Sequence, residues 1–510
     1  MAARNAAHDD PTEATIEALQ QRMLEGDLSC ARLIELCLSR LAQWDRKGPM
    51  LASVLAVNPR AREIAEQRDA ALAAKGRLMG PLHGIPVAVK DNCNTLDMPT
   101  TGGALALKGV FPSVESAVCR KLAEAGAVIL AKTNLHEFAV SGTTVSSLGG
   151  QTRNPYDLER TPGGSSGGSA VAVAAGFATV ALGTDTVNSI RSPASANCLV
   201  GLRPTRGLIS RAGIMPVSST QDSVGPLART VGDVARVLEV LAGYDPEDPV
   251  TARCVGKIPA RYSDHLDAGG LKGRRIGVLS SLQGREERHK EVNQVMDRAL
   301  DTMRDAGAEI VRIDDPAIDA DAFLRDHDVQ KWEFKRLFEA YLQALPESPV
   351  RTLGELLASG RYHRESVHAF LTQANGVVDP DHDVEYLGRL AALDGLRDRL
   401  LGHMATHRLD AFAYPLQKCL VVPIGGGGQI DRNGIVASLV GFPALNVPMG
   451  FSRPTPSGPL GVPIGLDLMA RPFDEPLLLE LGHAFEQLTR VRKPPLHPEW
   501  PSPASNGPDS

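Results

Sequence analysis

From Thr12 to about Gln43, apolar residues recur at helical spacing. Thr12 or Thr15 caps one helix and Gly26 ends it; Ser29 caps a second, with Leu33, Leu36 and Leu41 on one face. Ala61 to Ala74 reads as a third helix closed by Gly76. The spacing then shortens. Ile85-Pro86-Val87-Ala88-Val89 is brief, unbroken and partly β-branched, which predicts a buried strand with Lys90 at its C-terminal end. A helix over Ser113 to Ala125, stopped by Gly126, leads into a strand at Ala127 to Leu130. A small-residue helix over Ser169 to Ala175, stopped by Gly176, leads into another strand at Ala178 to Leu182. This alternation predicts an α/β fold, a mixed and mainly parallel β-sheet covered by helices on both faces.

The chain beyond Lys257 is less regular. Strands are expected at Arg275–Leu279, Glu309–Ile313, Asp410–Tyr414, Ala444–Pro448 and Ile464–Leu468, with a helix over Arg288 to Asp305. Residues Ala320 to Met404 read mostly as helices carrying Trp332, Phe334, Tyr341, Tyr362 and Phe370. Gly425 to Gly428 reads as a flexible loop, and no internal repeat is visible. The expected organisation is a disordered leader over 1–10, N-terminal helices over 11–75 packed on the core, and one large domain over 76–492. Within that domain 316–405 forms a helical insertion on the substrate side, and 493–510 is a proline-rich tail.

Composition narrows the function classes. A hydrophobic content of 43% with 22% charged residues is ordinary for a globular chain. The net charge of -6 offers no basic surface for nucleic acid and no polybasic membrane signal. No apolar run reaches the roughly 20 residues that span a bilayer. Asp9, Asp10 and Glu13 near the start interrupt any secretory signal. Seven scattered cysteines without a C-x-x-C pair point away from a disulfide framework or a zinc site and toward a reducing cytoplasm.

Ligands of such sheets gather outside the carboxyl ends of the strands, where this reading places Lys90 and Ser189. A lysine closing an apolar strand is desolvated. To act as a base near neutrality it must fall from about 10.4 by roughly three units, worth about 4 kcal/mol. The loop Gly163-Gly164-Ser165-Ser166-Gly167-Gly168-Ser169 has the composition of a linker. It runs straight into the buried pattern Ala170 to Ala175, however, and no Lys-Ser/Thr pair follows as a phosphate-binding loop would need. Lysine and serines together supply the parts for acyl transfer without histidine, metal or cofactor.

These segments resemble the amidase signature family, whose members hydrolyse C–N bonds with a Ser–cis-Ser–Lys triad. Further matching blocks are Pro81-Leu82-His83-Gly84-Ile85-Pro86, Lys132-Thr133-Asn134, Gly201-Leu202-Arg203-Pro204-Thr205, Asp222-Ser223-Val224-Gly225-Pro226 and Gly441-Phe442-Pro443-Ala444. The resemblance implies Lys90 as general base, Ser165 as the relay preceded by a cis peptide, and Ser189 as nucleophile in Gly183-Thr184-Asp185-Thr186-Val187-Asn188-Ser189-Ile190-Arg191. It implies an oxyanion hole from the backbone N–H groups of Thr186, Val187, Asn188 and Ser189, supported by Ser166, Asp185 and Arg191. No metal or cofactor is expected, and His83 and His136 are expected to be hydrogen-bonded scaffold.

One departure stands out: Val187-Asn188 replaces the family's usual Gly-Gly, and a valine takes positive φ only at a cost. The implied substrate is a small amide, anilide or carbamate (urethane). The aromatic insertion, with Ile214, Met215 and Phe442, suggests an apolar or aryl group. The expected state is a monomer or homodimer. Two alternatives stand beside this: the glutaminase subunit of a tRNA-dependent amidotransferase, and a pseudo-amidase that binds without turnover.

Overall fold

The computed structural model describes residues 10–496. Helices α1 (Ile16–Glu25) and α2 (Cys30–Trp44) begin at Thr15 and Ser29, whose hydroxyls accept from the Ala18 and Arg32 N–H groups. The leader lies outside the described residues except Asp10, whose carboxylate pairs with Arg40 at 2.6 Å. Of the tail only 493–496 is described, and there the Lys493 carbonyl accepts from the Tyr156 hydroxyl at 2.6 Å.

Strand β1 (Val54–Val57) and helix α3 (Ala61–Lys75) precede β2 (Pro86–Lys90), which ends on the lysine as expected. Then come α4 (Ala117–Glu124), β3 (Val128–Thr133), α5 (Gly167–Ala174), β4 (Val180–Asp185) and α6 (Arg191–Ala196). Helix α4 starts four residues later than its composition suggests, because Ser116 is tied by N–H and hydroxyl to the Asn94 carbonyl. Strands β5 (Val200–Arg203) and β6 (Ser223–Ala228) and helix α7 (Val231–Leu241) follow, then β7 (Arg275–Leu279), α8 (Lys290–Asp305) and β8 (Glu309–Ile313). Five helices fill the next segment: α9 (Ala320–Asp326), α10 (Gln330–Ala344), α11 (Leu353–Ser359), α12 (Arg364–Asn375) and α13 (Val384–Thr406). The chain closes with β9 (Ala411–Pro415), α14 (Ile435–Val440), β10 (Ala444–Phe451), β11 (Pro463–Met469) and α15 (Glu475–Thr489).

Eleven strands form one mixed sheet in the order β1-β3-β2-β4-β6-β5-β10-β11-β9-β7-β8. The parallel pairings predicted by the strand–helix rhythm hold for β3, β2 and β4 and again for β9, β7 and β8; the other neighbours run antiparallel. Both faces are covered, and the period-2 alternation shows it. Val87 and Val89 join the core that holds Leu19, Leu33 and Leu238, while Ala88 faces the opposite core of Val171, Val173 and Ile190. Since β2 and β4 are adjacent and parallel, Lys90 and the Thr184–Asp185 end of β4 come out at the same edge.

The aromatic residues of the helical segment mostly serve its own packing. Phe334 stacks on Phe338 at 5.0 Å and meets Phe370 edge-on at 5.3 Å, and Trp332 stacks on Tyr386 at 6.0 Å. Phe370 and Tyr341 are partly buried and the others named here are buried, so most of these rings pack on one another.

Candidate active site

Lys90 is fully buried at the end of β2. Its Nζ donates to Ser165 Oγ at 2.7 Å and to Thr184 Oγ1 at 2.8 Å, with the Thr184 carbonyl at 3.4 Å. No carboxylate among the described residues forms an ion pair with it. Burial therefore dominates and pulls its pKa down to about 7, against a weaker opposing pull from Cys93, Asp185 and Asp222. Asn92 Nδ2 donates to the same Thr184 hydroxyl at 3.0 Å and fixes its orientation.

Ser165 follows a cis Gly164–Ser165 peptide, and its carbonyl accepts from the His136 N–H at 3.0 Å. The loop's glycines are needed because backbone closes in on them. A Cβ on Gly168 would lie 2.3 Å from the Asn134 carbonyl oxygen, and one on Gly164 would lie 2.9 Å from Gly142 backbone. Ser166 anchors the loop to β4, its hydroxyl donating to the Thr184 carbonyl at 3.1 Å.

The segment Thr186–Ser189 has two unlike edges. All four carbonyls are engaged: Thr186 by Gln221 Nε2 (3.2 Å), Val187 by Arg191 (3.0 Å) and Ser438 (2.6 Å), Asn188 by the Ser192 N–H (2.7 Å), and Ser189 by the Ser166 N–H (3.2 Å). Among the described residues the four N–H groups donate to nothing. Four consecutive free donors beside a serine are what a developing oxyanion needs. Neither Val187 nor Asn188 has positive φ, so the Gly-Gly replacement introduces no backbone strain here.

Asp185 and Arg191 brace this segment. Asp185 accepts from the Ile190 N–H and Arg191 Nε, both at 3.1 Å, and from Arg203 at 3.0 Å. Burial alone would raise the Asp185 pKa, but the two guanidiniums outweigh it and hold it at about 2. Arg191 also reaches Asp467 at 2.6 Å and the Gly434 carbonyl at 2.8 Å.

The predicted residues are thus brought together, with one gap. Lys90 touches Ser165, whereas Ser165 and Ser189 are joined by the Ser166 N–H to Ser189 carbonyl bond rather than through their hydroxyls. His136 is scaffold on one side only: Nδ1 meets the Thr143 hydroxyl at 3.2 Å, while Nε2 is buried without a partner among the described residues, and burial pushes its pKa down to about 3. His83 is bound through Nδ1 by the Met79 N–H at 3.3 Å. Sequence reasoning missed Thr184 as a lysine ligand, and Ser438, Asp467 and Gly434, which meet the loop from more than 240 residues away in sequence. It also missed Arg432, whose guanidinium makes no hydrogen bond or ion pair among the described residues and lies 3.9 Å from where a Cβ of Gly142 would sit. A cavity of about 190 Å³ is lined by Asn92, Thr184, Ile214, Met215, Asp222 and Leu337 among others, but not by Ser165 or Ser189.

The Amidase family profile matches residues 32–479. A probable amidase of Arabidopsis thaliana is 35% identical over 95% of this chain and 91% of its own length. A glutamyl-tRNA(Gln) amidotransferase subunit of Synechococcus is 33% identical over 94% of this chain and 98% of its own. The structure of native peptide amidase from Stenotrophomonas maltophilia superposes with a TM-score of 0.85 at 38% identity, covering 95% of this chain and 98% of that one. No helix among the described residues is long and apolar enough to cross a membrane. With the family profile spanning most of its length, the chain belongs to the amidase family and is a hydrolase acting on carbon–nitrogen bonds.

Proposed function

We propose that the protein hydrolyses small neutral amides, anilides or carbamates through a covalent intermediate on Ser189. The observation that carries this reading is the 2.7 Å contact between Ser165 and a buried Lys90 with no ion-pair partner, on the strand next to the free N–H run. Neutral Lys90 takes the Ser165 proton as Ser165 takes that of Ser189, and Ser189 Oγ bonds to the scissile carbonyl carbon. A rotation of the Ser189 hydroxyl, which makes no hydrogen bond among the described residues, completes the relay. The carbonyl electron pair moves onto oxygen, facing the N–H groups of Thr186 to Ser189. When the pair returns, the C–N bond breaks and the nitrogen takes its proton from Ser165, which is resupplied by Lys90. Water then attacks the acyl or alkoxycarbonyl ester along the same relay and releases Ser189. Asp185, Arg191 and Ser166 act by holding the two loops. No step uses a metal or cofactor.

Val187 joins an apolar cluster with Ile435 and Phe442, which favours a neutral substituent near the nucleophile. The test is release of 4-nitroaniline from 4-nitroacetanilide and from ethyl N-(4-nitrophenyl)carbamate, with wild type and Ser189→Ala. Ser189-dependent release supports the reading, and Ser189-independent release removes the nucleophile. A strong preference for a charged peptide carboxamide, which the peptide amidase relative brings into view, removes the neutral substrate class.

A second reading, the glutaminase subunit of an amidotransferase, has its own support. Several relatives are named as glutamyl-tRNA(Gln) amidotransferase subunits, and the guanidinium of Arg432, whose Nε is buried without a hydrogen-bond partner among the described residues, suits a substrate carboxylate. Glutaminase activity appearing only with a co-purifying partner would favour it.

A further inference from the structure

The Val187 N–H shares a planar trans peptide with the Thr186 carbonyl, so whatever grips that carbonyl aims this N–H the opposite way. The Asn188 N–H is aimed in the same manner through the Val187 carbonyl, and the Ser189 N–H through the Asn188 carbonyl. The groups that do the gripping come from different parts of the fold. Arg191 and Ser438 hold the Val187 carbonyl and the Ser192 N–H holds that of Asn188, all from α6 and α14. The Thr186 carbonyl is held by Gln221 Nε2 at 3.2 Å, and Gln221 is itself tied to the helical segment.

Gln221 is fully buried. Its Oε1 accepts from the Val329 N–H, at the start of α10, at 3.0 Å. The amide fits one way round only, because a flip would set donor against donor at Val329 and acceptor against acceptor at Thr186. A second tie runs beside the first. The Gln221 N–H donates to Ser218 Oγ at 3.0 Å, and the Ser218 hydroxyl donates to Glu333 of α10. Glu333, 1% exposed, also accepts from the Thr220 N–H at 3.1 Å, the Thr220 hydroxyl at 2.5 Å and the Tyr386 hydroxyl of α13 at 2.8 Å. Asp222, next along the chain, accepts from the Thr186 hydroxyl at 2.7 Å. Residues 221 and 222 thus hold Thr186, and the helical segment holds the loop that carries them.

We propose that Gln221 is a positioning residue of the oxyanion hole, aiming the Val187 N–H, and that Glu333 sets Gln221 from the helical segment. This rests on the reading of Ser189 as nucleophile and of the 186–189 N–H groups as the oxyanion donors. A donor aimed at charge that develops only during reaction stabilises the transition state more than the bound substrate. Its misdirection therefore lowers kcat and spares KM.

The experiment compares Gln221→Met with wild type on 4-nitroacetanilide. Methionine keeps the length of the side chain and offers the Thr186 carbonyl no donor, so kcat should fall about tenfold or more with KM within about twofold. A pair of ketones separates aim from folding. Ser189 adds to the carbonyl carbon of trifluoroacetophenone, its proton passes to Ser165, and the electron pair moves onto oxygen facing the same N–H groups. Acetophenone, which lacks the activating fluorines, binds without adding. The inhibition constant of the fluorinated ketone should rise in step with the fall in kcat/KM, while that of acetophenone stays within about twofold. Glu333→Gln should show the same pattern more weakly, and it carries the ketone test if Gln221→Met does not fold. The double variant should lose no more than Gln221→Met alone, because both changes act on one peptide. Equal weakening of the two ketones, or kcat at the wild-type level in Gln221→Met, overturns the proposal. Losses that multiply in the double variant remove Glu333 from it. Ser189→Ala keeps the claims apart: hydrolysis surviving there removes the underlying reading, while its loss beside a wild-type kcat in Gln221→Met removes this proposal alone.

Discussion

Two lysines sit on neighbouring strands at equal depth and do opposite things. Lys90 ends β2, Lys132 lies near the end of β3, and Val89 pairs with Lys132 across the ladder. Both side chains are fully buried. Lys132 has a carboxylate, Asp91 at 3.2 Å, together with the Cys93 carbonyl at 2.7 Å and Thr100 Oγ1 at 2.7 Å. Lys90 has two hydroxyls and a carbonyl and, among the described residues, no ion-pair partner. A charge taken out of water needs a counter-charge, or it surrenders its proton. Burial therefore does not make a base. On the proposed reading burial without a counter-ion does, and Lys132 shows the same fold building a clasp on the 91–100 loop instead.

The most drastic way to break the contrast is Lys90→Met. Loss of the base should lower kcat/KM by roughly 10⁴-fold while the folded state is kept or gains stability, since a desolvated amine is replaced by an apolar chain. Activity within tenfold of wild type would remove Lys90 from the relay. Lys132→Met should do the reverse, leaving Asp91 buried and unpaired at a cost of about 3–5 kcal/mol in denaturant unfolding. Its effect on turnover of the folded enzyme should be far smaller. Wild-type stability in that variant would mean the ion pair is not what distinguishes the two lysines.

Titration reads the same contrast without mutation. With Lys90 at about 7, kcat/KM should climb about tenfold per pH unit below that value and level off above it. The stability sign follows from linkage. The folded pKa lies below the usual 10.5, so between about 7 and 10.5 the unfolded chain holds the extra proton, and stability rises with pH across that window. The burial cost, on the order of 4 kcal/mol, is present in full at and below neutrality. Lys90→Met should erase that slope, and Lys132→Met should leave it in place.

How much of this is legible in the sequence depends on range. The caps at Thr15, Ser29 and Gly26, and the strand ending on Lys90, are local and can be read directly. Strands β1, β5 and β6 cannot, because β1 is a short edge strand and the other two lie in glycine-, proline- and arginine-rich blocks that hide a period of two. The candidate triad follows from motif spacing. The free N–H edge needs the carbonyl partners Gln221, Arg191, Ser438 and Ser166, which no local pattern places together. In the aromatic segment, composition does not reveal that Phe334 stacks on Phe338 and Trp332 on Tyr386.

The smallest expected effect is the sharpest probe of why Lys90 is poised. Thr184 Oγ1 accepts from Lys90 at 2.8 Å and from Asn92 at 3.0 Å, and it is one of two hydroxyls standing where Lys132 has an ion pair. Thr184→Val keeps the β-branched shape that suits β4 and removes only that acceptor. The ammonium form loses more than the neutral amine when an acceptor is withdrawn, so the Lys90 pKa should fall further. The acid limb of the rate profile should move to lower pH by about one unit or less, and the plateau should drop only several-fold as Nζ loses an anchor. Measured kcat/KM from pH 5 to 9 on 4-nitroacetanilide checks both. A shift toward alkaline pH would mean the hydroxyl had been depressing the pKa. No shift at all would assign the limb to another group and end the claim that hydroxyls in place of a carboxylate are what tune this lysine.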